Sequence, residues 1–237
     1  MKKKMMASLL VGSAVVGASL APLSAQAVTT GDTPVTVGFE GGSLPDISGD
    51  PNTVRPDPGA TNSNFDLLFI PREYDFGKLS ISDDLTKPIP NKKDEGFNGH
   101  VEGVGVGDVR GTKEGWHVTA QSNGLKLGSE SLQGNIMTSS ITAYALGIDE
   151  ATNTYTSAAV DTSNIGLDPD VAVERGWTLN LGGEAVLLGN ATTGRGQGLW
   201  KFSMFSTSLN ITTPANDIKA GAYTGNITWN LVAGPSI

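Results

Sequence analysis

Each of the four tryptophans in this chain sits in a row of apolar residues recurring at every second position. Trp116 shares its row with Val118 and Ala120, Trp177 with Leu179 and Leu181, and Trp200 with Phe202 and Met204. Trp229 stands between Ile227 and Leu231. Successive side chains of a strand point to opposite faces, so a period of two describes strands with one buried face. Beyond the first 27 residues no stretch sustains the i, i+3, i+4, i+7 spacing of an amphipathic helix for three turns. Glycine makes up 31 of the 237 residues and falls mostly between the short apolar runs, where turns need it. The expectation is an all-β fold, a β-sandwich or irregular barrel-like sandwich of about ten to twelve short strands.

The chain opens on Lys2, Lys3 and Lys4, runs apolar from Ala7 to Ala21, and then places small residues at Ala25 and Ala27. That order predicts a secretory signal peptide over residues 1–27, cut after Ala27. The apolar run is about 15 residues, short of the roughly 20 that span a bilayer, so no membrane span is expected in the mature chain. Residues 28–64 read as a turn-rich, loosely packed N-terminal segment punctuated by proline, glycine and aspartate. Within it Asp46, Ser48, Asp50 and Asn52 alternate oxygen-bearing side chains as a calcium loop would. The glycine stands at Gly49 and no glutamate closes the span, so no metal is expected there. Residues 65–237 read as the β domain. Its strand signals begin with Phe65 to Ile70, stopped by Pro71, and an imperfect alternation from Phe76 to Ile81. Lys87 to Gly96 reads as an exposed loop and Val101 to Val106 as a strand diluted by glycine. A Thr/Ser-rich stretch from Ile136 to Ile148 and the pair Leu209 and Ile211 follow. A closing strand between Tyr223 and Pro235 completes the set, and so near the end of the chain it survives only if paired into a sheet.

Charge and composition exclude several functions. The formal net charge is −8, and without residues 1–27, which carry three lysines and no acid, 13 basic residues face 24 acidic ones for a net −11. Nucleic acid selects for clustered lysine and arginine, so it is not an expected partner. Cysteine is absent, which removes thiol catalysis, thiolate metal sites and disulfides. The two histidines, His100 and His117, read as solvated surface residues and belong to no metal-protease or nucleophile motif. Asp83 with Asp84 and Asp149 with Glu150 adjoin loop signals and read as turn residues. The glycines of Val101 to Gly107 do not open a helix and form no phosphate loop. No catalytic residue and no cofactor is expected.

The closing strand and the Trp116 segment together resemble the WxL-domain surface proteins of Gram-positive bacteria. The distal pattern of that family matches Tyr223, Ile227, Thr228, Trp229, Leu231 and Pro235 as they stand here. The proximal motif follows an Asp-x-Arg-Gly turn and a glycine. Here Asp108, Arg110, Gly111 and Gly115 precede Trp116, with Val118 where the family usually has leucine. Trp177 and Leu179 form a strict Trp-x-Leu and compete for the proximal role. The resemblance implies a non-catalytic protein held non-covalently on peptidoglycan. The C-terminal residues carry no LPxTG sorting motif, which fits non-covalent attachment.

Two roles are open to the tryptophans of the motifs. Trp116 and Trp229 either stack on sugar rings of the wall glycan or anchor the core of the sandwich. Each shares its face with apolar neighbours, while Asn226, Thr228 and Asn230 alternate onto the other face. The alternative to direct wall binding is a protein–protein interaction subunit that docks on other exported surface proteins and reaches the wall through them. A glycan hydrolase is a third, weaker reading.

Overall fold

A computed structural model describes residues 33–47, 49, 52–57, 63–92, 101–158, 169–171 and 175–236. The chain divides into two units, residues 1–38 and 39–237, and all the strands belong to the second. In the first unit the described residues form no regular secondary structure, and Val35 and Val37 are exposed. The signal-peptide residues, Ser48 and Asp50 of the candidate calcium loop, and His100 lie outside the described residues.

The second unit is all-β, as the alternating rows predict. In chain order its strands are β1 (Thr53–Val54), β2 (Phe65–Pro71), β3 (Ile89–Pro90), β4 (Val101–Asp108), β5 (Trp116–Ser122), β6 (Leu125–Leu127) and β7 (Glu130–Leu132). There follow β8 (Gly134–Asp149), β9 (Thr154–Ala158), β10 (Asp170–Val171), β11 (Arg175–Asn180), β12 (Val186–Ala191), β13 (Gly198–Ile211) and β14 (Ile227–Ala233). One sheet runs β1-β2-β4-β13-β8-β11, with β3 added to β13 and β9 to β8. A second sheet runs β10-β12-β5-β14, and β6 with β7 forms a separate hairpin. Every pairing is antiparallel.

The described strands outnumber the expected ten to twelve because short pairings at β1, β3, β6, β7 and β10 add to the set, while β8 and β13 are long, at 16 and 14 residues. β13 fuses the Trp200 row with Leu209 and Ile211 across Phe205 to Thr207, and Ser206 takes a left-handed φ of 53° in between. β8 is long because it serves two sets of neighbours. Gly134 to Ala145 pairs with β13, and Ala145 to Asp149 pairs with β9. The expected strand from Phe76 to Ile81 does not form. That segment is irregular, Gly77 turns it at φ 74°, and Leu79 and Ile81 stay exposed.

The core joins the two sheets. Val104, Val106, Phe202, Met204, Trp177 and Leu179 come from the large sheet, and Trp116, Val118, Ala120 and Leu188 from the small one. Trp116 meets Phe202 edge-on at 6.0 Å and 88°, and Trp177 lies parallel to Trp229 at 6.4 Å and 12°. Both are contacts between the sheets. Burying one indole removes about 200 Å² from water, worth several kcal/mol.

The opposite face of β4 explains its glycines. Gly103, Gly105 and Gly107 share that face, and Phe69, Leu68 and Leu44 lie against it. A Cβ placed at Gly105 would sit 2.5 Å from the Phe69 ring, and one at Gly107 would sit 2.5 Å from Leu44. The alternating glycines therefore make a flat seat for a second apolar layer. Leu44 reaches that seat from residues 28–64, which the sequence reads as loosely packed. Leu44 and Ile47 are buried, the Gly42 amide donates to the Val109 carbonyl at 2.8 Å, and β1 pairs with β2. Apolar residues too sparse to signal a strand still dock where the glycines leave room.

Candidate functional site

The two halves of the Trp-x-[Leu/Val] pattern, more than a hundred positions apart in sequence, are hydrogen-bonded neighbours. β14 pairs with β5 along its whole length, setting Trp229 opposite Ala120, Leu231 opposite Val118 and Ala233 opposite Trp116. The competing segment, Trp177 to Leu179, lies in the other sheet and touches the pair through the Trp177–Trp229 stack.

The turn before Trp116 is fixed by its own charges. Asp108 is buried, and Arg110 grips it with two hydrogen bonds, Nε to Oδ1 at 2.9 Å and Nη2 to Oδ2 at 2.8 Å. Arg110 also donates to the Gly115 carbonyl at 3.1 Å, pairs with Glu114, and lays its guanidinium 3.7 Å from the centre of the Phe65 ring. Hydrogen bonding to Asp108 raises the Arg110 pKa above its ordinary value. The Asp-x-Arg-Gly turn is thus a staple that delivers Trp116 into the core. Trp116 is completely buried and its Nε1 donates to the Gly196 carbonyl at 2.9 Å. Trp177 is buried too, with Nε1 donating to the Leu187 carbonyl at 2.8 Å. Neither ring offers a face to a ligand.

Trp229 differs. β14 is the edge strand of its sheet, so Ile227, Trp229 and Leu231 are only partly buried, while Thr228 and Asn230 are exposed. One face of Trp229 covers Trp177, and its remaining surface lines a cleft of about 300 Å³. Ile227, Leu125, Tyr74, Phe76 and Arg72 share that lining. Tyr74 and Phe76 stack on one another at 6.4 Å and 16°. They are placed by the core. Asp75, between them, donates its amide to the Asn91 Oδ1 at 2.8 Å. Asn91 Nδ2 in turn donates to buried Glu102, which also accepts from Thr207 Oγ1 at 2.6 Å. No local pattern announces this aromatic wall, because Tyr74 and Phe76 sit in an irregular segment whose Asp75 is tied to Asn91 and Lys92.

A second, polar depression of about 540 Å³ shares Ser122, Gly124 and Leu181 with the first. Gln121, Asn123, Lys126, Ser131, Gln133 and Thr228 line it. The turn between the two is tied by Asn123, whose Oδ1 accepts the Asn226 amide at 2.7 Å, and by reciprocal amide bonds between Lys126 and Thr224. Gly225 lies so close to the Gly124 carbonyl that a Cβ there would come within 1.8 Å of its oxygen. The Gly before the closing strand is a packing requirement as well as a turn signal.

The remaining members of the distal motif frame the strand. Tyr223 is partly buried, Pro235 is exposed just after β14 ends, and the Ser236 amide donates to Asn190 Oδ1 at 2.6 Å. His117 is not simply solvated. It is partly buried, and its Nδ1 donates to the Gly234 carbonyl at 2.9 Å, pinning the end of β14. Asp46 forms an ion pair with Arg55. Asp84, exposed, and Asp149, partly buried, bind the Thr86 and Thr152 side chains and nearby turn amides, which holds both carboxyls below their ordinary pKa. Among the described residues no three His, Cys, Asp or Glu side chains are grouped to hold a metal ion. Also among them, no helix is long and apolar enough to cross a membrane.

A family model for the WxL domain, described as surface cell wall-binding, matches residues 26–235. No curated protein and no solved structure matches the chain.

Proposed function

The chain belongs to the WxL domain family of surface cell wall-binding domains, and from that premise we propose that it is an exported, non-catalytic surface protein that attaches non-covalently to peptidoglycan. Residues 1–27 act as a signal peptide removed after Ala27, residues 28–64 lead in, and residues 65–237 carry the binding surface. The observation behind this reading is the contrast between the two motif tryptophans. Trp116 is sealed in the core, whereas Trp229 lines an open cleft facing the stacked Tyr74 and Phe76. Aromatic walls offer pyranose rings an apolar face, and a few polar groups beside them fix orientation. Trp116 and Val118 then serve the fold, Trp229 serves both fold and ligand, and Leu231, Tyr223, Thr228 and Pro235 hold β14 in register.

One observation favours the protein–protein alternative. β14 is an edge strand and none of the described residues pairs with its outer side, which suits addition of a strand from another exported protein. Sedimentation with washed, protein-free peptidoglycan separates the two readings. Direct binding brings the chain into the pellet at physiological salt, and substituting Trp229 lowers that fraction. A chain that stays in the supernatant across salt and pH sinks direct attachment and favours the partner. Reducing ends released in the same tube would count against a non-catalytic role.

A further inference from the structure

Resting on the wall-binding reading above, we propose that the two depressions flanking the Ser122–Gly124 turn together take an N-acylated amino-sugar glycan bearing a carboxylate, with a sugar ring on Trp229 and the carboxylate at Lys126. The two depressions divide the chemistry. The first offers aromatic and aliphatic surface, with Arg72 beside Glu73 as its charged members. The second is lined by the amides of Gln121, Asn123 and Gln133, which both donate and accept, as an acetamido group and sugar hydroxyls require. Among the described residues lining it, Lys126 alone is charged.

On this protein such a place is unusual. The chain carries 24 acidic residues against 16 basic ones, yet among the described residues no carboxylate lines the polar depression. Lys126 makes no ion pair among the described residues, and the end of its stem lies beside Gly124, at the wall common to both depressions. The nearest acid along the hairpin is Glu130, which pairs with Leu127, while Lys126 pairs with Ser131. Alternation therefore puts Glu130 on the opposite face of the hairpin. An acidic protein repels anionic polymers at long range but only within a Debye length, so an anion must be read by a local, uncompensated cation. Lys126 supplies it, one wall away from the aromatic platform.

The test is calorimetric titration of the full chain with three soluble probes. These are a neutral N-acetylglucosamine tetrasaccharide, the N-acetylglucosaminyl-N-acetylmuramic acid disaccharide with its lactyl carboxylate free, and the same disaccharide bearing a stem peptide. A carboxylated probe binds about tenfold more tightly than the neutral one at low salt, the margin expected for one charge-assisted hydrogen bond. Raising the salt narrows that margin. Lys126→Gln, an exposed substitution, removes the margin between carboxylated and neutral probes. If the free acid shows the margin, the carboxylate is the lactyl one. If only the peptide-bearing probe does, it belongs to the stem peptide. Equal affinity for neutral and carboxylated probes, or a margin that survives Lys126→Gln, overturns the assignment. When intact peptidoglycan still sediments both proteins in that case, only the carboxylate proposal falls. When it sediments neither, the wall-binding reading falls with it.

Discussion

Replacing each motif tryptophan by alanine separates fold from ligand contact. Trp116 is wholly enclosed, packs edge-on against Phe202 and donates to the Gly196 carbonyl. Its removal leaves a closed cavity between the sheets and an unpaired buried carbonyl, at a cost of about 4–5 kcal/mol. Domains of this size are stable by roughly 5–15 kcal/mol, so Trp116→Ala removes a large part of that stability. Trp229 loses the stack on Trp177, but its space opens into a cleft that water can fill, so the cavity cost is largely absent. The loss is about 2–3 kcal/mol from partial burial and stacking. Urea titration gives both values from the shift in midpoint at constant slope. Peptidoglycan sedimentation is then run where Trp229→Ala is still folded, and it shows binding lost from a native protein. If Trp229→Ala costs as much as Trp116→Ala, or if folded Trp229→Ala sediments like the parent, Trp229 is not a ligand contact.

Three further outcomes follow from packing and charge. Gly105→Ala drives a methyl into the Phe69 ring and destabilises by about 1–3 kcal/mol, and Phe69→Leu in the same chain recovers part of the loss by denaturant titration. Arg110→Lys replaces a two-pronged grip on buried Asp108 with a point charge. A double-mutant cycle with Asp108→Asn should return a coupling of about 1–3 kcal/mol, and a value near zero would show the staple to be ornamental. Among the described residues the buried Tyr155 hydroxyl has no hydrogen-bond partner, and burial pushes its phenol up to about 12. A raised folded pKa means stability that is full below the unfolded value near 10 and lost as pH climbs towards 12. Tyr155→Phe should be neutral or slightly stabilising at pH 7 and should flatten that alkaline loss, which thermal melts at pH 9 to 12 will measure.

The alternating rows made the fold class legible, because a period of two has one structural meaning when it recurs around four tryptophans. The same rows could not distinguish Trp116 from Trp229. Alternation reports which face a side chain takes, whereas exposure depends on strand order, and β5 is internal to its sheet while β14 is the edge. The glycines of β4 read as a weak strand until Phe69 and Leu44 are seen lying on them. Phe76 reads as the start of a strand and Tyr74 as part of no element, so the sequence pattern does not place either ring at the cleft. Their place at the cleft depends on Asn91 and on Glu102, a carboxylate whose burial no local pattern announces.

In the proposed attachment Trp229, alone among the motif tryptophans, meets the wall glycan. Four tryptophans give four indole N–H resonances in a nitrogen-15-labelled sample. Titration with solubilised peptidoglycan fragments should shift the Trp229 signal progressively while those of Trp116 and Trp177, bonded to the Gly196 and Leu187 carbonyls, stay in place. A Trp229 resonance that does not move while the fragments bind would place the glycan elsewhere on the protein.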